Sequence, residues 1–513
     1  MDAPDPKLHA LRPLDALLLV FLLAVALAWP MHSPPIAAHG EAREGLVVQD
    51  MVQHGNWVLP RRNGALPSKP PLFHWIAAGV AQGFGLSDAV VRSPSALAAG
   101  VMLLATFGLG CALGGRAAGW FAAGALLGVH GFWASAWEAR VDMVFAASVT
   151  LALVAFFHWY RRGGGGARAA CYLAAACAVL AKGPAGAALP GLVIVAFIGR
   201  ESWRAAGAAT PPSGARGALA HALLTLRRLW SWPLVALVLL VDVGWYVLAY
   251  RRGGTEFLAF QLMQENVDRI VGRGVFGLHG GHARLKILKH LVTDLVPWNL
   301  VLVWAAIRWL RGVRADLGER FLHAWWIVIV AVFTAAYGKR DIYLLPAYPA
   351  IAILAGRALA AATANADATR LFGVVPIPER FRRGPGSLPA RALLVLLVVI
   401  LDVSLVTVSQ VTRVHRARRR SLVAFTRVVE RELSADAAVY AQSDVDGSDV
   451  QVVAYHLCRA VPTVPSVPVD AADAATTYYI VRAQADRAMD PRFHIVAQSS
   501  RRGPNVALVT ILR

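Results

Sequence analysis

Apolar runs long enough to cross a lipid bilayer recur along most of this chain. A transmembrane helix needs about 20 mainly apolar residues. Runs of roughly that kind fall at 13–31, 89–112, 117–134, 143–160, 168–181, 185–199, 229–250, 288–309, 321–337, 343–361 and 392–411. The pattern predicts an α-helical polytopic membrane protein with about 11–13 transmembrane helices. The runs at 168–181 and 185–199 are short and flank Lys182-Gly183-Pro184, so they read as a broken helical pair. From Ser421 the rhythm changes. Alternating apolar segments at Ala438–Ala441, Tyr478–Val481, Phe493–Val496 and Val506–Leu512 read as strands. Leu422–Leu433 and Val450–Leu457 carry helical periodicity. The chain therefore divides into a multi-span part, 1–411, and a small α/β domain, 412–513.

Composition agrees with this class. Hydrophobic residues make up 57% of the 513 positions, charged residues only 16%, and the mean hydropathy is +0.52. A soluble fold of this size could not hide so much apolar surface. The net charge of +20 does not point to nucleic acid, because no reading module is visible and basic residues gather at span ends. With a cytoplasmic N-terminus, the inside loops are 113–116, 161–167, 200–228, 310–320 and 362–391. They hold Arg116, Arg161, Arg162, Arg200, Arg227, Arg228, Arg311, Arg314 and Arg382, among others. Segments 32–88, 135–142, 182–184, 251–287 and 338–342 are then outside. The basic stretch Val411–Arg420 departs from this pattern, yet long terminal domains cross membranes largely regardless of charge, so 412–513 is expected to be periplasmic. Lys7 and Arg12 precede the apolar run Leu17–Trp29, which reads as a retained signal anchor. Cys111, Cys171, Cys177 and Cys458 form no zinc or disulfide spacing.

The chemistry concentrates in the first outside loop, EAREGLVVQDMVQHGNWVLPRRNGALPSKPPLFHW, from Glu41 to Trp75. Val47, Val48, Met51 and Val52 take one helical face, with Glu44, Gln49, Asp50 and Gln53 on the other. That is an amphipathic helix suited to the membrane interface, with Glu41 at its N-terminal end. Lys69 stands before Pro70-Pro71, and the prolines fix where its ammonium points. Asp142 follows Arg140-Val141 at the start of a span, an expensive place for an acid. Gly338-Lys339-Arg340-Asp341-Ile342-Tyr343 gathers cations and a tyrosine at another span edge.

This first loop resembles that of the polyprenyl-phosphate-sugar-dependent membrane glycosyltransferases of the GT-C type. That family includes the protein O-mannosyltransferases and the aminoarabinose transferases of lipid A. The matching residues are Glu41, Arg43, Met51, Gly55-Asn56-Trp57, Pro60, Asn63-Gly64 and Lys69-Pro70-Pro71-Leu72. Weaker matches follow in the family's order: Asp142, Lys182-Gly183, Gln264-Glu265-Asn266, Arg269, Pro297-Trp298 and the 338–343 turn. The family often has Asp-Glu where this chain has Gly40-Glu41, so its usual aspartate is missing. The metal that some relatives hold through a Glu before Lys-Pro and a His in the later loop is not expected, since Ser68 and Asn266 occupy those places.

The resemblance implies inverting transfer of a sugar from a polyprenyl phosphate, such as undecaprenyl phosphate, to a lipid A, glycan or protein hydroxyl. The site would lie on the periplasmic side of a bacterial inner membrane. It implies Glu41 as general base, with Arg43 and Asp142 beside it; Lys69, Lys339, Arg340 and Tyr343 on the donor phosphate; and Glu265, Arg269, His279 and His282 on the rest of the substrate. No cofactor and no metal are expected. The other reading is a transporter or flippase of a lipid-linked sugar or anionic solute, which intramembrane cations would also serve. The long first loop with its interfacial helix favours the transferase.

Overall fold

The computed structural model describes residues 35–209, 213–268, 271, 286–311, 313–337, 340–364, 370–371, 375–376, 408, 422–434, 437–467, 477–482, 493–499 and 506–511. In chain order the helices are α1 (His39–His54), α2 (Leu72–Phe84), α3 (Asp88–Leu127), α4 (His130–Ala136), α5 (Val141–Arg162), α6 (Gly165–Lys182), α7 (Ala185–Ala208), α8 (Gly214–Leu229) and α9 (Trp232–Leu258). A π-helix, Ala259–Asp268, continues α9. Then come α10 (Lys286–Thr293), α11 (Asn299–Leu310), α12 (Leu317–Ala335), a 3-10 turn at Asp341–Ala347, and α13 (Tyr348–Ala364). A two-residue antiparallel pair, β1 (Arg370–Leu371) and β2 (Val375–Pro376), follows. The C-terminal part holds α14 (Val423–Glu432), β3 (Ala438–Gln442), α15 (Gly447–Leu457), β4 (Thr463–Val464), β5 (Thr477–Arg482), β6 (Phe493–Gln498) and β7 (Val506–Ile511).

The chain forms two compact units. One comprises Met1–Leu27, Ser95–Trp137 and Val141–Val408; the other comprises Ala28–Pro94, Glu138–Arg140 and Ser409–Arg513. The first is helical. Among the described residues six helical stretches are long and apolar enough to span a membrane: Asp88–Leu127, Val141–Arg162, Ala185–Ala208, Trp232–Asp268, Leu317–Ala335 and Asp341–Ala361. The protein is a multi-pass helical membrane protein. The apolar run at 13–31, and that at 392–411 apart from Val408, lie outside the described residues.

Aromatic packing holds the helical unit together. Phe157 of α5 stacks on Phe321 of α12 at 4.4 Å between centroids, and Phe197 of α7 meets Phe321 edge-on at 5.2 Å. Trp325 is fully buried and donates its indole N–H to the Pro346 carbonyl at 2.9 Å. Small residues let backbones approach, as membrane helices require. A β-carbon on Gly186 of α7 would strike the α6 backbone at Ala178–Val179. By contrast the middle of α9 is buried, among the described residues, at Asp242, Trp245 and Ala249, with Leu239, Leu240, Val243, Val247 and Leu248 exposed around them.

Several boundaries differ from the sequence reading. The span expected at 117–134 ends at Leu127, and α4 is separate; Gly115, at φ 80°, bends α3 where a short loop was expected. The expected inside loop 200–228 is largely helix, the end of α7 and then α8. The expected outside loop from 251 is helical to Asp268. In the last two cases helical structure runs on beyond the apolar core that marked it, because polar and small residues continue a helix without lengthening its hydrophobic stretch.

In the second unit the sheet order is β4-β3-β5-β7-β6, with β3 parallel to β4 and β5, and β7 antiparallel to β5 and β6. The strand and helix expectations after Ser421 hold to within a few residues, and β4 is added. This sheet belongs with the first loop. Helix α1 packs on α15, and Gly45 is where they touch: a β-carbon there would strike the Tyr455 ring. Gln49 donates to the Tyr455 carbonyl at 2.8 Å, Tyr455 donates its hydroxyl to Asp88 at 2.6 Å, and Asp88 accepts the Ile36 N–H at 2.9 Å. The Asn63 side chain bonds both backbone groups of Val461, at 2.9 and 2.7 Å. The polar face expected for α1 is therefore only partly solvated: Glu44 and Gln49 are buried, because α2 and α15 supply partners for them.

Removing the Tyr455 hydroxyl tests this clamp. A hydrogen bond to a charged group contributes about 1.5–3 kcal/mol. Tyr455→Phe is expected to lower the thermal unfolding midpoint of the purified protein, followed by intrinsic fluorescence, and to make the Tyr455–Arg459 region more sensitive to protease. An unchanged midpoint and unchanged cleavage would show that this contact is incidental.

Candidate active site

One end of the helical unit is built by the α5–α6–α7 turnings. Helices α5 and α6 pack side by side with reversed direction, so the start of α5 meets the end of α6. This brings Asp142, the second residue of α5, against Lys182, the last residue of α6, and the two form an ion pair. Both are largely buried; Asp142 is only 8% exposed. Taking either charge out of water alone would cost several kcal/mol, so each secures the other. The Lys182 ammonium also lies 4.5 Å from the Tyr343 ring centroid and 4.9 Å from that of Phe145, a partly aromatic cage for a cation. Tyr343 reaches it from the 3-10 turn, which packs on α5 and opens at Arg340, itself half-buried.

Gly183, at φ 80°, ends α6 and hands the chain to Pro184 and α7. A β-carbon on Gly183 would stand 3.4 Å from the Tyr246 hydroxyl and 3.5 Å from the Asn266 amide oxygen. Glycine is needed here for the positive φ of the turn, which sets α9 and its π-helical continuation at ordinary contact distance beside it. Glu265, neighbour of Asn266, is half-buried on that continuation. One turn before Tyr246, Asp242 sits on the inward stripe of α9, 6% exposed.

The loop-and-sheet unit has its own charged cluster. Glu41, in the first turn of α1, is 5% exposed. Its oxygens accept from Arg92 Nε at 2.7 Å and Nη2 at 3.0 Å, and from the Ala139 N–H at 3.0 Å. Such a carboxylate anchors the 138–140 segment. A base needs a lone pair aimed at its substrate, and these bonds occupy the Glu41 carboxylate in ways the loop motif alone does not reveal. Glu44 accepts from Arg43 at 2.9 and 2.5 Å and pairs with His74 at 2.8 Å. Lys69 is buried, 9% exposed, in the turn before α2. Arg140 bonds Glu138 at 2.8 Å, and its guanidinium lies where a β-carbon on Gly40 would project. In this chain a cation stands beside the position of the family's usual aspartate.

The structure thus brings Asp142 and Tyr343 together around Lys182. It places Glu41, Arg43 and Lys69 in the other unit. Lys339, Arg269, His279 and His282 lie outside the described residues. Arg92, His74, Asp242 and Tyr246 were not singled out from sequence. Arg92 and Asp242 carried a usable signal, being charges within or at the edge of apolar runs. His74 and Tyr246 carried none, since only tertiary packing sets His74 against Glu44 and the Tyr246 hydroxyl beside Gly183. Among the described residues no group of three or more His, Cys, Asp or Glu side chains is placed to hold a metal ion.

This arrangement of helices has known counterparts. The structure of ArnT from Cupriavidus metallidurans bound to undecaprenyl phosphate superposes with a TM-score of 0.73, at 19% identity, over 96% of this chain and 97% of that one. The Archaeoglobus fulgidus oligosaccharyltransferase in its apo form gives a TM-score of 0.54 over 88% of this chain and 64% of that one. The fold is that of the GT-C polyprenyl-phosphate-sugar glycosyltransferases. Within that class, the dolichyl-phosphate-mannose-protein mannosyltransferase family matches residues 68–240. The undecaprenyl phosphate-alpha-4-amino-4-deoxy-L-arabinose arabinosyl transferase of Shewanella sediminis is 25% identical over 370 residues, covering 71% of this chain and 62% of the relative. A transferase of the same name from Pseudomonas fluorescens is 27% identical, covering 63% of this chain and 54% of its own length. The matched stretch spans about three fifths of these relatives' length.

The Glu44 cluster makes a pH prediction. Burial pushes the Glu44 carboxyl up, but the Arg43 guanidinium and the His74 bond outweigh it and hold the group well below its ordinary value of 4.5. A lowered folded value means stability that is fully present above the ordinary value and is lost as pH falls toward the folded one. Glu44→Gln is expected to lower the unfolding midpoint at pH 7, with the gap to wild type narrowing as pH drops from about 4.5 downward. A gap that stays constant to pH 3 would contradict the assignment.

Proposed function

We propose that this protein transfers a sugar from a polyprenyl phosphate, of the undecaprenyl kind, to a hydroxyl of lipid A or another glycan. A protein hydroxyl remains within the same chemistry. The reading places the reaction at the periplasmic face of a bacterial inner membrane, where the positive-inside pattern puts the 182–184 turn. The observation that carries it is the buried Asp142–Lys182 pair roofed by Tyr343. The undecaprenyl phosphate in the ArnT structure supports a lipid phosphate as ligand for this fold.

In this mechanism the donor phosphate competes with Asp142 for Lys182. The donor phosphate is a diester with one charge. As the bond to the sugar breaks, the leaving polyprenyl phosphate gains a second, and the ammonium stabilises that developing charge more strongly than it does one carboxylate. Lys182 then turns to the phosphate, and Arg340 adds a second cation. Asp142 is left with a lone pair for the acceptor hydroxyl. The acceptor oxygen attacks the anomeric carbon as the carbon–oxygen bond to phosphate breaks. The phosphate leaves with the bonding electrons, the proton passes to Asp142, and the anomeric configuration inverts. This moves the role of base from Glu41, engaged by Arg92 and the Ala139 N–H, to Asp142. Glu41 and Arg43 become residues that shape the first loop, and Lys69 keeps its expected role as a phosphate ligand of that loop. Glu265 is retained as a sugar contact.

Purified enzyme with a synthetic undecaprenyl-phosphate sugar and a lipid A acceptor tests the assignment. Asp142→Asn is expected to lower transfer by the roughly 10²–10⁴-fold typical of a general base while donor binding persists. Lys182→Ala and Lys69→Ala are expected to weaken donor binding. Normal turnover in Asp142→Asn combined with loss in a well-folded Glu41→Gln would return the role to Glu41.

Side-chain cations can match the charge of a single phosphate, so no divalent ion is required in this scheme. Transfer is expected to continue undiminished in excess chelator. Loss of transfer that added manganese or zinc restores would make Asp142 a metal ligand instead of a base.

A further inference from the structure

The helical unit contains a cavity of about 540 Å³ far from Lys182. Four arginines line it: Arg200 of α7, Arg308 of α11, Arg314 and Arg357 of α13. Two carboxylates face them. Asp316 caps α12 by accepting the Glu319 N–H at 2.9 Å, and it pairs with Arg357. Glu319 lies 3.6 Å from Arg308. Among the described residues Arg200 and Arg314 have no carboxylate partner. The cavity therefore holds a net surplus of two cations beside an apolar wall. That wall includes Leu302, Trp304 and Ile327, and Ile327 is itself 48% exposed.

Its position is set by the helices. Arg200 lies 15 residues into α7, counting from Ala185 next to Lys182-Gly183-Pro184. At 1.5 Å per residue that is about 22 Å, most of the thickness of a bilayer's hydrocarbon core. Helix α12 runs in reverse over 19 residues, about 27 Å, from the cavity toward the Arg340–Tyr343 turn. The cavity thus opens at the arginine-rich end of the bundle, the cytoplasmic end by the positive-inside pattern.

We propose that this cavity is a second lipid site, taking the phosphate headgroup of an anionic lipid from the leaflet opposite the reaction. Two uncompensated guanidiniums suit a phosphate oxygen pair, since Arg binds phosphate through parallel N–H bonds. The ion-paired Arg308 and Arg357 hold the rim in place. Arg308 also lies 4.6 Å from the Trp304 ring centroid, which fixes its plane. The apolar wall continues onto membrane-facing residues, Leu300 and Val303 of α11. A free phosphate has no use for such a wall; an acyl chain does.

The test uses the full-length protein in neutral detergent, titrated with phosphatidylglycerol, phosphatidylcholine or inorganic phosphate, with thermal unfolding as readout. Phosphatidylglycerol is expected to raise the midpoint beyond phosphatidylcholine. The Arg200→Gln/Arg314→Gln double variant is expected to need roughly tenfold more phosphatidylglycerol for half the effect. Lys182→Ala is expected to keep the wild-type response, which separates this site from the donor site. Equal responses in wild type and double variant would overturn the proposal. An equal rise with inorganic phosphate would overturn its lipid part. Native mass spectrometry of wild type gives an answer independent of the variant's folding: phosphatidylglycerol held at collision energies that strip phosphatidylcholine supports the site, and equal stripping of both overturns it.

Discussion

The Asp142–Lys182 pair is the interaction on which the working end of the helical unit depends. Neither charge could be buried there alone, and each is delivered by the terminus of a different helix. Their pairing fixes how far α5 and α6 slide past each other. Lys182 then fixes Tyr343 and Phe145 around it, and the Gly183-Pro184 turn launches α7. The same rule recurs elsewhere in the unit. Glu201 of α7 meets Arg320 of α12 through two bonds of 2.6 Å. Asp242 is the departure, an acid on a membrane helix with a buried oxygen that no hydrogen bond satisfies among the described residues. Intramembrane acids of that kind usually mark function.

The second unit solves a different problem. A loop between two spans is long and polar, and α1 alone buries too little to stay folded. The C-terminal sheet and its helices supply the missing surface. Tyr455, Gln49, Asp88 and Asn63 connect segments some 370 to 410 positions apart in the chain, tying the C-terminal region to the first loop. Its contribution is to hold the first loop in shape.

Spans and strands were legible in the sequence because both have a period that burial enforces. The α/β character of the C-terminal part was equally plain, with β5 and β7 read almost to the residue. Helix ends were not legible, since α8 and the extension of α9 are built from residues that read as loop. In the candidate site, Asp142, Lys182 and Tyr343 each stood out as a polar residue at a span edge. That they meet was not readable, because the meeting depends on the α5–α6 packing. Glu41 shows the opposite case. Its motif was clear, but its partners, Arg92 and the Ala139 N–H, come from distant positions that local pattern does not reveal.

Helix α9 leaves one further consequence. Among the described residues much of its apolar surface is exposed, yet its continuation carries Asn266 and Glu265 toward the Gly183 turn. Its tilt therefore answers to the match between its apolar length and the local hydrocarbon thickness. A thicker or thinner bilayer shifts the far end of the helix, and with it one wall of the space beside Lys182. The composition of the surrounding membrane thereby becomes part of the geometry around the Asp142–Lys182 pair.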